Sequence, residues 1–375
     1  MQLKIFSFFA GSGFLDLGFE MSHYSIELVN EYFPAFINAY KYSRKQMGLL
    51  EPQYGYSNID VNEYLYNRAD ELRNYILDAK RDHSLVGFIG GPPCPDFSVA
   101  GKQRGRHGDN GKLSLSYINL IINQQPDFFL FENVKGLWKT AKHREFYEEL
   151  KSLLFNAGYY MTDRLTNALE FGAPQDRDRI LLFGMNKNLF SNADADPLSV
   201  FPWEKYIIYS LSEIKNKPWP TKNPFIENSI LPCPNNILKE LTVQYWFEKN
   251  DVENHPNGKD CFVPRSGITK MRSVDEGDDS KKSYKRLHRW RYSPTVAYGN
   301  NEVHLHPYRA RRLTVAEAFA LQSLPKEFVL PPEMSLTDKF KTIGNGVPFV
   351  LSCGIARTIY DFINEVEYYG KMYSL

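Results

Sequence analysis

The 375-residue chain reads as an α/β protein, a mainly parallel sheet built from both ends of the chain and interrupted by a smaller, irregular domain. Three observations predict this. Short apolar runs alternate with longer helical patterns from Leu3 to about Met185, as in successive βαβ units. From residue 186 to about 309 the periodicity weakens and Pro, Asn, Trp and mixed charge take over, as in "DADPLSVFPW" and "NKPWPTKNPF". Helical patterning then returns at Leu313 to Leu324 and Val347 to Glu367. The expected division is 1–185 with 310–375 as the sheet domain and 186–309 as the insert.

In chain order, the strand candidates are Ile5 to Phe9, Ile26 to Asn30, Val86 to Gly90, Phe128 to Phe131, Tyr159 to Leu165 and Arg179 to Gly184. Between them the 3.6-residue period marks helices at Val61 to Ala79, Leu115 to Asn123 and His143 to Asn156. In such a sheet, ligand sites lie at the carboxyl ends of the strands. The N-terminal run MQLKIFSFFAGSG is too short and too Gly-broken for a signal peptide, and no run of about 18 apolar residues predicts a membrane span. Cys94, Cys233, Cys261 and Cys353 are widely spaced with no C-x-x-C pair. That spacing argues against zinc and a disulfide framework, and for a reducing cytoplasm. The net charge is only +1, so a polyanion would be met by local patches; the 15% aromatic content suits a protein that grips flat ligands or bases.

Five stretches stand out. "IFSFFAGSGF" is a strand followed by a Gly-rich turn in which Gly11 and Gly13 allow close backbone approach. It lacks the full G-x-G-x-x-G pattern, so a nucleoside cofactor without a pyrophosphate fits better than a dinucleotide, with Glu31 in "LVNEYF" placed to hold ribose hydroxyls. A plain strand-turn with a solvated Glu reads equally well from these residues alone. "GGPPCPDFSVAGKQRGR" puts Cys94 at the tip of a rigid corner, as a small hydrophobe, a metal ligand, half of a disulfide or a nucleophile. "FENVKGL" puts Glu132 where an apolar strand ends, as a desolvated carboxyl or as a surface residue opening a turn. In "QDRDRILLFG" alternation sets Arg177 and Arg179 on one face, either converging on an anion or carboxylate or pairing with Asp176 and Asp178. Residues 281 to 291 hold six Lys or Arg, among them Lys285, Arg286, Arg289 and Arg291, beside Tyr284 and Trp290. That mixture suits phosphate contact and stacking, or is a solvated face paired with "DEGDD".

Taken in order, these stretches resemble the cytosine-C5 DNA methyltransferase family. "FAGSG" is similar to its cofactor motif, Asn30–Glu31 to its ribose motif and "PPCPDFSVAGKQ" to its Pro-Cys nucleophile loop. "ENV" resembles its catalytic Glu motif, and "QDRDR" its Gln-x-Arg-x-Arg motif. "RRLTVAEAFALQSLP" and "IGNGVP" resemble its last two motifs, and residues 186 to about 300 fall where the family keeps its target-recognition domain. Departures are Pro95 where the family has Gln, Phe14 where it often has a second Gly, and Asn58, with Asp60 two residues on, where it has an acid facing the adenine amino group.

The resemblance implies a Rossmann-like S-adenosyl-L-methionine-dependent sheet and no metal. It implies Cys94 as nucleophile, Glu132 as the group at N3 of the base, Arg179 at its O2 and Arg177 bracing the site. Phe9, Gly11, Gly13, Glu31, Asn58, Leu113 and Asn345 are the cofactor residues it suggests. Ser98, Lys102, Arg104 and Arg106, with Lys285, Arg286, Arg289 and Arg291, are the expected contacts to double-stranded DNA. It further implies a monomer of the bacterial restriction-modification type, with a cognate endonuclease as a separate protein. Two rivals predict different features. A non-catalytic DNA-binding homologue would be expected to lack Cys94, Glu132 or one of the arginines, and all are present. The transfer-RNA branch typically carries Cys-Phe-Thr in the variable region, which is absent here.

Overall fold

The computed structural model describes residues 2–93, 109–190, 196–264, 267–281, 283–298 and 302–368. Seven strands form one sheet: β1 (Leu3–Phe8), β2 (Tyr24–Asn30), β3 (Tyr56–Ser57), β4 (Leu85–Gly90), β5 (Phe128–Val134), β6 (Tyr159–Asn167) and β7 (Asp178–Asn186). Their order is β3-β2-β1-β4-β5-β7-β6. All neighbours are parallel except β7, which runs against both β5 and β6. Strands buried on both faces read as unbroken apolar runs, and β1 (LKIFSF) and β4 (LVGFIG) are buried along their whole length.

Helices α1 (Phe14–Glu20), α2 (Pro34–Gln46), α3 (Ala69–Ala79), α4 (Asp109–Gln124), α5 (Lys135–Lys139) and α6 (Ala141–Asn156) come from the first half. The second half adds α7 (Leu211–Asn216), α8 (Val243–Lys249), α9 (Ile268–Arg272), α10 (Val315–Leu321), α11 (Leu336–Asn345) and α12 (Phe349–Tyr368). One face of the sheet is covered by side chains of α3, α4 and α6, including Leu72, Ile118, Ile121, Tyr147 and Leu150. On the other face, Leu351, Ile355, Ile359 and Ile363 of α12 join Leu3, Ile5 and Ile26. The last long helix therefore closes the core opened by the first strand.

Three expectations change. The helical pattern from Val61 to Ala79 splits into α3 and a preceding 3-10 turn, Val61–Tyr64, whose start the Asp60 side chain caps by accepting from Asn62 N–H at 2.8 Å. Packing on the sheet continues past the boundary expected at residue 186. Phe190, Leu198, Phe201 and Trp203 pack on the sheet, with Phe201 4.8 Å from Phe183 and 5.1 Å from Phe362 between ring centres. Nor does the insert's largest apolar cluster belong to it alone. Val243, Trp246, Phe247, Val296 and Tyr298 share a core with Phe14 and Leu17 from α1 and with Phe319, Phe328 and Ile343 from the C-terminal part.

The contact between α1 and α12 depends on Gly18, where a Cβ would lie 2.1 Å from Ser352 Oγ and 2.7 Å from the main-chain N of Cys353. Gly18→Ala is expected to cost about 2 kcal/mol or more, seen as a lower urea midpoint at unchanged slope.

Candidate active site

The strand order reverses direction between β1 and β4, so the connections leaving their carboxyl ends diverge and open a crevice there. The turn after β1 carries three left-handed residues, Phe9 (φ 54), Gly11 (φ 57) and Gly13 (φ 80). A Cβ on Gly11 would meet nothing within 4 Å, so this side of the turn is open. Glu31, one residue past β2, accepts Gly11 N–H on Oε2 at 2.8 Å and Phe33 N–H on Oε1 at 2.7 Å. Burial raises its carboxyl pKa above the usual value, and the two N–H groups oppose that rise. Each carboxylate oxygen can accept two hydrogen bonds, so both keep one lone pair for a diol. An open glycine turn beside a bidentate acceptor fits a nucleoside with free ribose hydroxyls.

The other expected cofactor residues surround this turn to different degrees. Phe9 is half-buried with its ring edge-on to Tyr117 at 6.1 Å. Leu113 is half-buried on α4, and Asn345 is exposed at the end of α11. That helix is tied to the turn by Thr342 Oγ1 donating to Ser12 Oγ at 2.7 Å. The Asn58 side chain is turned to the backbone, its Nδ2 donating to the carbonyls of Glu31 at 2.7 Å and Tyr32 at 2.8 Å. Only its carbonyl oxygen is left to meet an amino group. Phe14, standing where the family often has a second glycine, is a core residue with its ring 5.1 Å from Phe328. Its ring is met by a glycine: a Cβ on Gly346, in "IGNGVP", would lie 2.1 Å from the Phe14 ring.

Cys94, Pro95, Ser98, Lys102, Arg104 and Arg106 lie outside the described residues. The approach to Cys94 is described as far as Pro93. Gly90 is limited by Tyr117, whose ring a Cβ would approach to 2.8 Å, and Gly91 by Glu132, whose Oε2 a Cβ would approach to 2.6 Å. Glu132 is thus packed against the residue three before Cys94. It is 7% exposed, within β5 and not at a surface turn, and its Oε1 forms an ion pair with Arg179 Nε. The antiparallel register, which sets Val134 opposite Arg179, brings the first residues of β7 to the same edge as the last of β5.

Arg177 and Arg179 take different partners. The carboxylate of Asp178 is paired with Lys135 and that of Asp176 with Lys215, so neither carboxylate is the arginines' partner; Arg179 Nη1 donates instead to the main-chain carbonyl of Asp178 at 2.9 Å. Arg177 is buried and donates to the main-chain carbonyls of Val296 and, at 2.7 Å, Gly344. Burial and the neighbouring Arg179 push its pKa down. Gln175 works beside it, donating to Leu321 O at 3.0 Å and accepting Val296 N–H at 2.9 Å. The segment before β7 therefore fastens the insert and the C-terminal helices to the sheet.

The C-5 cytosine-specific DNA methylase profile matches residues 3–361. A Type II methyltransferase of Neisseria meningitidis serogroup C, M.NmeDI, is 54% identical over 96% of this chain and 84% of its own. The chain belongs to the C-5 cytosine-specific DNA methylases. It is accordingly a DNA (cytosine-5) methyltransferase. M.FnuDI, a Type II methyltransferase of Fusobacterium nucleatum, is 29% identical over 97% of this chain and 96% of its own. The solved structure of the S. pombe Dnmt2 methyltransferase has the same fold, with a TM-score of 0.60 at 12% identity over 98% of this chain and 99% of that one.

For this methylase the reading of residues 281 to 291 as a DNA face needs correction. Arg286 is fully buried and donates to the carbonyls of Val274, Met271, His306 and Arg309. Arg289, 4% exposed, is bidentate to Glu276 and donates to Ser229. Arg291 donates to Gly277 O at 3.2 Å and pairs with Asp279; Lys285 and Arg291 are partly exposed and Lys281 is exposed. The guanidiniums are used as internal cross-links, and the sequence shows their charge but not their partners. Of the other cysteines, Cys353 has its thiol pushed up to about 11 by burial, and burial raises Cys233 and Cys261 as well, so none is poised as a thiolate. Among the described residues no group of His, Cys, Asp and Glu is arranged to hold a metal, and no single helix is long and apolar enough to cross a membrane.

Removing one partner of a nearly dry ion pair leaves the other charge uncompensated. Arg179→Met is expected to cost about 3–5 kcal/mol in urea unfolding, most of it recovered in the double variant with Glu132→Gln.

Proposed function

We propose that this methylase transfers a methyl group from S-adenosyl-L-methionine to C5 of a flipped-out cytosine in a short duplex sequence, through a covalent adduct with Cys94. The observation that supports it best is the Glu132–Arg179 pair packed against Gly91, just before Cys94. C5 of cytosine is a weak nucleophile. A Cys94 thiolate adding to C6 breaks the ring's aromaticity and leaves C5 enamine-like, which is the reason for a covalent catalyst. Glu132, protonated for this step, gives its proton to N3 as electron density arrives there and takes it back when the adduct breaks, and Arg179 holds O2. Arg177 braces both through the carbonyls it binds. The cofactor, when bound, supplies an electrophilic methyl group. A base takes the C5 proton, the freed electron pair re-forms the C5–C6 double bond and the sulfur–C6 bond breaks, which restores the Cys94 thiolate.

Glu31 takes the ribose hydroxyls of that cofactor, Phe9 lies along the adenine and the carbonyl of Asn58 meets its amino group. Gly11 and Gly13 let the backbone approach, with Leu113 and Asn345 towards the methionine end. A cytosine inside a duplex cannot be attacked above its ring face, so it is extruded. Ser98, Lys102, Arg104 and Arg106 contact the DNA around it, with Lys285 and Arg291 contributing from the insert. The Type II names of the relatives support a protective role against a separate restriction endonuclease. On this reading the protein further acts as a monomer in the bacterial cytoplasm.

Methyl transfer from labelled cofactor is expected on duplex DNA and not on tRNA. Cys94→Ala should abolish it, and Glu132→Gln should slow it by about 10²-fold or more at unchanged cofactor affinity. Label on tRNA alone, or full activity of Cys94→Ala, would overturn the reading.

A further inference from the structure

We infer that Arg44 is a positioning residue for the cofactor: it fixes the carbonyl of Gly13 from beneath and thereby the backbone of the turn on which the nucleoside rests. The inference rests on the reading that the turn from Gly11 to Gly13 holds S-adenosyl-L-methionine. Arg44, on α2, is 1% exposed, and a guanidinium removed from water needs partners for its charge and its donors. It has them on three sides. Its Nε pairs with Glu20 Oε2 at 2.7 Å, its Nη2 donates to Gly13 O at 2.6 Å, and its carbon lies 4.3 Å above the Tyr40 ring.

The carbonyl it holds has a second role. Gly13 O also accepts Leu17 N–H at 3.0 Å, so one oxygen fixes both the start of α1 and the inner side of the turn. Gly13 is left-handed, and a Cβ there would lie 2.4 Å from the Tyr40 ring and 2.7 Å from Arg44 Nη2. Helix α2 has closed on the turn to a distance that only glycine permits. Outside, the N–H of Gly11 is held by Glu31. The turn is thus gripped from opposite sides, by a carboxylate on its ligand side and by a guanidinium on its core side.

The surroundings of Arg44 explain why lysine would not replace it. Tyr40 donates its hydroxyl to Asp16 Oδ2 at 3.0 Å, and Asp16 is fully buried. One guanidinium therefore serves two carboxyls, and burial pushes Glu20 up to about 7 and raises Asp16 as well. Only a planar fork reaches Glu20 and Gly13 O together while lying flat on Tyr40.

The test compares the full-length chain with Arg44→Lys, Glu20→Gln and Glu31→Ala. It measures S-adenosyl-L-homocysteine binding by calorimetry, thermal unfolding, and kcat and KM for the methyl donor. Arg44→Lys is expected to weaken binding about tenfold or more and raise KM in step, with kcat at saturation within about threefold; Glu20→Gln should do the same to a lesser degree. If both variants bind within about twofold of the parent, whatever their unfolding temperatures, Arg44 is only structural and the inference fails. If Arg44→Lys does not fold, Glu20→Gln decides by the same criterion. Glu31→Ala separates the two levels. Unchanged binding there overturns the assignment of the turn, whereas weakened binding there with normal Glu20→Gln and Arg44→Lys overturns the role of Arg44 alone.

Discussion

Glu132 and Arg179 meet because two neighbouring strands run in opposite directions. In a wholly parallel sheet the amino end of β7 would lie at the far edge, a strand length away from the carboxyl end of β5. Reversal brings the two ends together, and the pair they form is nearly dry, with side chains 8% and 10% exposed. A dry carboxylate is tolerated only with a partner, and a dry partner only with a fixed backbone. Much of the surrounding structure answers that demand. Gly91 leaves room for the carboxylate, the 3-10 turn Ala168–Phe171 returns the chain from β6 to β7, and Gln175 and Arg177 fasten the start of β7 to the insert and the C-terminal helices.

The same edge is assembled by close approach elsewhere. Gly13 admits Tyr40 and Arg44, Gly346 admits the Phe14 ring, and Gly90 admits Tyr117. Each pairs a missing side chain in one segment with a large one in a segment distant in sequence. The site is therefore held by packing between separate segments of the chain, and not by any single loop.

The strands are legible in the sequence because burial on both faces leaves unbroken apolar runs, and each expected strand is found within a few residues. Direction is not legible: "RILLFG" is equally apolar either way round, so β7 reads as one more parallel strand. Residues 190 to 203 read as part of the insert by their Pro and Trp content, yet those aromatic side chains are apolar surface and settle on the sheet. The residues around the site are found by order and spacing, and the surprises come from partners. Arg286 and Arg289 carry the signature of a phosphate-binding run, but Glu276 and a set of carbonyls claim them first. Phe14 breaks the glycine pattern of the turn, and the glycine that meets its ring, Gly346, stands more than three hundred residues away. Short-range reading sees a charge or a ring, whereas its role is set by whatever folds against it.

Gln175 and Arg177 grip the insert through Val296 N–H and Val296 O, and the main chain of Pro174 and Asp176, on either side of Gln175, exchanges hydrogen bonds with that of Ser293. These are bonds to atoms that every residue possesses. The main-chain bonds at this joint are thus indifferent to the insert's side chains, whereas the Thr295 hydroxyl, which donates to Asp176 O at 2.6 Å, is not. The joint therefore combines bonds that any residue could make with the packing of Val296 and Tyr298 in the shared core, which only apolar side chains could make.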